Sequence, residues 1–209
     1  TFLESLKQAF IELFSQNVVK YEKVIPIFLF IFLAPFIGMI ISVIITLIIV
    51  YFSKNSNPHK ADQHFKKWQL FSSALFSLGH GLNDAQKVMG IIGAAVIYYH
   101  VNMIGGTDVY AIMESSKRFN HFSQDYIWVP FVSFLAIGLG TMSGGWKIVK
   151  TMGTRITKVT PLEGVSAETA GAITLFLTDH LGIPVSTTHT ITGSIIGVGL
   201  TKRVSAVRW

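Results

Sequence analysis

The chain has 209 residues, half of them apolar and only 13% charged, and contains no cysteine. Its mean hydropathy is +0.52. A soluble domain carries about a quarter charged residues, so the composition indicates a membrane protein. It also excludes disulfide frameworks and thiolate chemistry. The net charge of +6 does not indicate nucleic acid, because most Lys and Arg sit in loops flanking apolar runs, as the positive-inside rule produces, and no recognition module is present.

Taken in chain order, residues 1–24 place Leu3, Leu6, Phe10, Leu13 and Phe14 at helical spacing among Glu4, Lys7 and Glu12, which predicts an amphipathic helix, lying at the interface or packed on partner helices. Residues 25–52 hold no charge and are long enough to span a bilayer core of about 30 Å. Pro35 is expected to kink that span. A polar loop, 53–67, follows. A second span, 68–100, is interrupted by "GHGLNDAQK", where Gly79 and Gly81 predict a helix break and Asn83 or Asp84 a cap for the restart. A third span covers 127–149, and its run "GLGTMSGG" predicts close helix approach. Residues 167–200 form two short limbs broken at Gly182–Pro184, read as a re-entrant hairpin in preference to two short spans. Basic residues put loops 53–67 and 147–165 on the cytoplasmic side, and the more acidic loop 101–126 on the other.

Two constellations carry chemistry. Asp84 is an acid within an apolar span, with His80 four residues before it and Lys87 three after, all on one helix face. Either the three satisfy one another structurally, or they bind an ion during transport, the favoured reading. A metal-enzyme site has no supporting ligand cluster. In "PVSTTHT", Pro184 suits the first helical position. Ser186, Thr187 and Thr188 then fall in the first turn, beside free N–H groups and the positive end of the helix dipole. That makes an anion site, against the bland alternative of capping and back-bonding. Glu168 near the start of the first limb is either a dipole partner or a site residue. His180 and His189 bracket the break and read first as structural hydrogen-bonders. An anion near ionised Asp84 is repelled until a cation or proton neutralises the carboxylate. Anion and cation affinities are then reciprocally linked, as in a symporter.

"GHGLNDAQK", "AETAGAITLFLTDHLG" and "GIPVSTTH" together resemble the second-half signatures of the inorganic phosphate transporter (PiT) family, bacterial type, over most of residues 68–209. The resemblance implies an all-α polytopic membrane protein: one half of an inverted-repeat transporter, with a broken helix and a re-entrant helical hairpin. By the match, Asn83 and Asp84 belong to the cation-coupling motif, and Asn83, Ser186, Thr187 and Thr188 to the phosphate site. Glu168 matches a hairpin acid used in transport. His80, Lys87 and His189 are accessory candidates.

The resemblance implies inorganic phosphate, free or as a metal–phosphate complex, carried with H⁺ or Na⁺ across a bacterial inner membrane, without a resident cofactor. Each signature occurs once, so an N-terminal half and a last helix are expected to lie outside these residues, and the 209 residues alone are not expected to transport. The missing half, lipid and further copies in a homo-oligomer are the candidate partners. A sulfate permease on the same scaffold is the alternative within the class, and a non-transporting receptor or assembly subunit the alternative outside it. No nucleophile–base–orienter set suggests an enzyme.

Overall fold

The computed structural model describes residues 21–104 and 108–208, an all-helical arrangement with no strand among them. The amphipathic helix expected over 1–24 lies outside the described residues except for its last four, which open the first described helix. That helix, α1 (Tyr21–Ser53), runs through Pro26 and Pro35. α2 (Pro58–Tyr98) continues into a π-helical turn, Tyr99–Ile104. Two short helices follow, α3 (Val109–Ile112) and α4 (Ser115–Asp125), then α5 (Trp128–Gly144) and α6 (Trp146–Thr151), which leads into a second π turn, Met152–Ile156. α7 (Pro161–His180) and α8 (Thr187–Lys202) form a hairpin. Among the described residues, two helices are long and apolar enough to cross a membrane, Val24–Ser53 and Pro58–Ile104. A third crossing arises if α4 and α5, bent by 79°, act as one span.

The hairpin packs between α1 and α2: α1 lies along α8 and α7, and α2 along α7 and α5. The α1 face that meets the hairpin is a stripe of small residues, Ala34, Gly38, Ser42 and Thr46, repeating every four positions and buried throughout. The bulky side chains Phe28, Phe32, Phe36 and Ile40 point outward. This inverts the soluble pattern, because lipid solvates large apolar groups as well as a core does, so close backbone packing decides which face goes inside. The Ser42 and Thr46 hydroxyls donate to carbonyls of their own helix, Met39 O at 2.9 Å and Ser42 O at 2.6 Å, and so need no partner across the seam. On the α8 side, a Cβ at Gly193 would sit within the backbone of Pro35. Among the described residues, the run "GLGTMSGG", expected to provide such an approach, makes none: nothing lies within 4 Å of where a Cβ at Gly138, Gly140 or Gly144 would sit, and these residues are exposed.

Two expected boundaries are corrected. The polar stretch 58–67 is helical, not loop. Asn57 caps it by accepting from His59 N–H at 3.0 Å, and Pro58 occupies the tolerant first turn. α2 also runs unbroken through Gly79 and Gly81, so neither Asn83 nor Asp84 is a cap. Each glycine costs a helix about 1 kcal/mol relative to alanine, but Gly79 lies buried against Leu175 of α7, where its missing side chain admits the neighbour. The break expected in α2 is absent, and the hairpin is broken as expected.

At its open end the hairpin is closed by polar contacts. Glu163 accepts from Thr160 N–H at 2.6 Å, and Lys202 Nζ lies 2.5 Å from Glu163 Oε1 and 3.1 Å from Lys158 O. Beyond α2, the segment expected as loop 101–126 folds into α3 and α4 around His100, which contacts Asp108 Oδ2 at 3.0 Å and the Tyr126 hydroxyl at 3.1 Å. Tyr110 packs between the rings of His100 and His121 and donates to Asp125. The His100 hydrogen bond holds the Asp108 carboxyl below its ordinary value, against a smaller opposing effect of burial. A depressed acid contributes stability that is complete above the ordinary carboxylate pKa and lost as pH falls through the lowered value. Asp108→Asn keeps the cap on Tyr110 N–H and removes the charge. The wild type is therefore expected to melt above this variant at neutral pH, and the gap in thermal midpoint to close on acidification below the carboxylate range.

Candidate functional site

The break between α7 and α8 follows from local chemistry. Gly182 adopts φ +66, a left-handed conformation that favours glycine. Its N–H donates to Asp179 O at 2.9 Å and that of Ile183 to Thr178 O at 3.0 Å, the pair of bonds that ends a helix in a Schellman motif. The chain then runs extended to Ser186, whose Oγ accepts from His189 N–H at 3.4 Å and caps α8. Pro184 is thus not the first helical residue, as expected, but lies two residues before the cap. Ser186 fixes the start because its side chain can take a first-turn N–H, which proline cannot do.

Thr187 and Thr188 open α8, where their backbone N–H groups have no acceptor within the helix. Farther along, Thr190, Thr192 and Ser194 donate to carbonyls four residues back. Among the described residues, the Thr187 and Thr188 hydroxyls make no hydrogen bond. The back-bonding alternative holds for the rest of the helix and not for this pair. Thr187 is only 4% exposed.

The motif on α2 meets this turn. His80, Asp84, Thr187 and Thr188 line one cavity of about 570 Å³, walled on its far side by Thr141 and neighbouring glycines of α5. Asp84 Oδ1 lies 2.9 Å from Lys87 Nζ, which also donates to Val185 O at 2.8 Å; Asp84 Oδ2 lies 3.5 Å from His80 Nδ1. Lys87 thereby ties the carboxylate to the hairpin tip. About a third of the Asp84 side chain remains exposed to the cavity, so the pair is not closed to a further cation.

Asn83 points elsewhere. One residue along a helix turns the side chain by about 100°, and Asn83 lines a separate cleft of about 290 Å³ with Lys87, Gly182 and Pro184. It is 5% exposed, and its Oδ1 is a buried acceptor without a partner among the described residues. A buried carbonyl left unpaired costs about 1–3 kcal/mol, so this acceptor calls for a partner that the described residues do not supply.

Three candidates fall outside these cavities. Ser186 is occupied by the cap, and His189 is exposed on α8 without lining either space. Glu168 is not in the first turn: α7 begins at Pro161, and the acid serving its N-terminus is Glu163. The sequence Thr160-Pro161-Leu162-Glu163 is a capping-box signature that could have located that start. Glu168 instead accepts from Ser72 Oγ at 2.6 Å, across the α2–α7 contact. Ser72 precedes Asp84 by 12 residues, about 18 Å along a straight helix, so this acid is far from Asp84, although the cavity extends along α2 to Phe76, one turn from Ser72. A pair that motif reading missed is Gln86 Nε2 to Asp179 Oδ1 at 3.2 Å, which joins α2 to the hairpin beside Asn83. An acid within the apolar run "LFLTDHLG" was the available signal.

Comparison with known proteins gives this geometry a context. The model of the phosphate transporter family matches residues 9–209. A protein of Rhizobium meliloti, "Probable low-affinity inorganic phosphate transporter", is 51% identical over 154 residues, covering 73% of this chain and 40% of its own length. Proteins bearing the same name from Bacillus subtilis and Mycobacterium leprae are 42% and 38% identical, with 75% and 77% of this chain and 42% and 35% of their own lengths covered. The chain thus spans about two fifths of the relatives it matches. No solved structure matches. The relatives are named as transporters and not as enzymes, and with a family match across nearly its whole length the chain belongs to the phosphate transporter family.

Proposed function

We infer that this chain supplies one half of an inorganic phosphate symporter of the bacterial inner membrane, with the α7–α8 hairpin re-entering the membrane from one side. The observation that carries the reading is the shared cavity, in which Asp84 faces Thr187 and Thr188 at the start of α8. Two free hydroxyls and first-turn N–H groups suit a tetrahedral oxyanion. The carboxylate opposite them repels that anion until H⁺ or Na⁺ binds, which makes uptake conditional on the cation. Lys87 supplies the mechanical link. A cation at Asp84 competes with its ammonium and loosens the bond that holds the carboxylate and Val185 O together at the hairpin tip. Asn83 Oδ1, an acceptor, suits a cation better than phosphate.

The anion half is tested by Thr188→Val in the complete transporter. Hydrogen bonds to charged groups contribute about 1.5–3 kcal/mol, so the phosphate KM is expected to rise at least about tenfold at equal membrane abundance. An unchanged KM refutes the assignment. Labelled phosphate uptake is expected to persist in excess sulfate; equal competition by sulfate would favour the alternative permease reading.

A further inference from the structure

A second concavity, of about 660 Å³, adjoins the cavity just described and shares Ile148, Met152 and Thr188 with it. Lys147, Lys150 and Arg155 line it, and no acidic residue does. Among the described residues, none of the three cations pairs with a carboxylate. The positive-inside rule accounts for basic residues in this stretch of sequence. It does not account for their convergence, through α6 and the π turn after it, on one groove that ends at a substrate-facing hydroxyl. Thr192, one turn along α8 from Thr188, has its own proton committed to Thr188 O at 2.7 Å. The donors free to meet an anion here are therefore the three cations and the Thr188 hydroxyl.

We propose that this groove is a second anion site, an antechamber that holds a phosphate-bearing anion beside the coupled cavity. It rests on the reading of that cavity only for the role of Thr188. A concave surface lined by one sign of charge raises the local concentration of counter-ions and lowers the barrier to their transfer inward. Arg155 suits the planar, two-pronged recognition of phosphate, whereas the lysines act as point charges. The occupant is either free phosphate or the headgroup of an anionic lipid, since both present the same oxygens.

Lysine acetylation measured by mass spectrometry separates the two sources. With the protein in phosphatidylcholine nanodiscs, inorganic phosphate is expected to slow acetylation of Lys147 and Lys150 about two- to fivefold relative to chloride at equal ionic strength, the range for exposed charge pairs. Lys67, outside the groove, is the unprotected reference. Protection that arises only when phosphatidylglycerol is included assigns the groove to a lipid headgroup and still supports an anion site. Arg155→Gln and added salt are each expected to weaken the protection. Equal acetylation of Lys147, Lys150 and Lys67 under both conditions overturns the proposal. The readout requires no transport, so failure of the symport reading would show in uptake and leave this footprint unchanged.

Discussion

Asp84→Asn is expected to abolish cation-coupled phosphate uptake in the complete transporter while leaving the protein folded and inserted. The substitution retains the side-chain volume and removes the charge that a coupling cation would neutralise. Moving an anion inward against a negative-inside potential costs about 2.3 kcal/mol per charge per 100 mV, and without a co-transported cation nothing offsets that cost. The fold tolerates the change because α2 is continuous and the Asp84–Lys87 pair is partly exposed, and such pairs contribute only about 0–1 kcal/mol. Uptake of labelled phosphate in proteoliposomes, with and without an imposed cation gradient, measures the outcome. Gradient-dependent uptake by the variant would remove Asp84 from the coupling role and restore the bland account, in which His80, Asp84 and Lys87 only satisfy one another.

The second large effect is structural. Gly193→Ala is expected to destabilise the protein by about 3 kcal/mol, the upper part of the range for overpacked interiors. The added Cβ would meet backbone atoms of Pro35, which cannot rotate away as a side-chain tip can. Gly138→Ala is the matched control. It sits in a helix with open space around it, so it should be neutral or stabilising by about 0.5–1 kcal/mol. Thermal midpoints in one detergent compare the two directly. A Gly193→Ala protein that melts with the wild type would mean that the α1–α8 seam is looser than the structure places it.

The seam was hard to read because its determinants lie in two segments about 150 residues apart. Ala34, Gly38, Ser42 and Thr46 are single small residues scattered through a run that is apolar on every side. The conspicuous cluster "GLGTMSGG" drew the inference of close packing, although Gly138, Gly140 and Gly144 face open space among the described residues. Density of small residues along the chain is a weaker guide than their recurrence every four positions, because only the latter puts them on one helix face.

By itself, the sequence determined the membrane class, the all-helical fold and the hairpin break. Each rests on a short-range rule: the length of apolar run a bilayer requires, the exclusion of unpaired backbone from lipid, and the left-handed turn that Gly182 accepts. It also brought Asp84 and the "STTH" turn forward as polar groups in apolar surroundings. Only the tertiary structure decided that α2 passes unbroken through Gly79, that Asp84 faces Thr187 and Thr188 while Asn83 faces the hairpin tip, and that Glu168 is held by Ser72 away from both. Those outcomes depend on the rotation and depth at which one helix docks on another. Contacts with residues about a hundred positions away set both, and no local pattern encodes them.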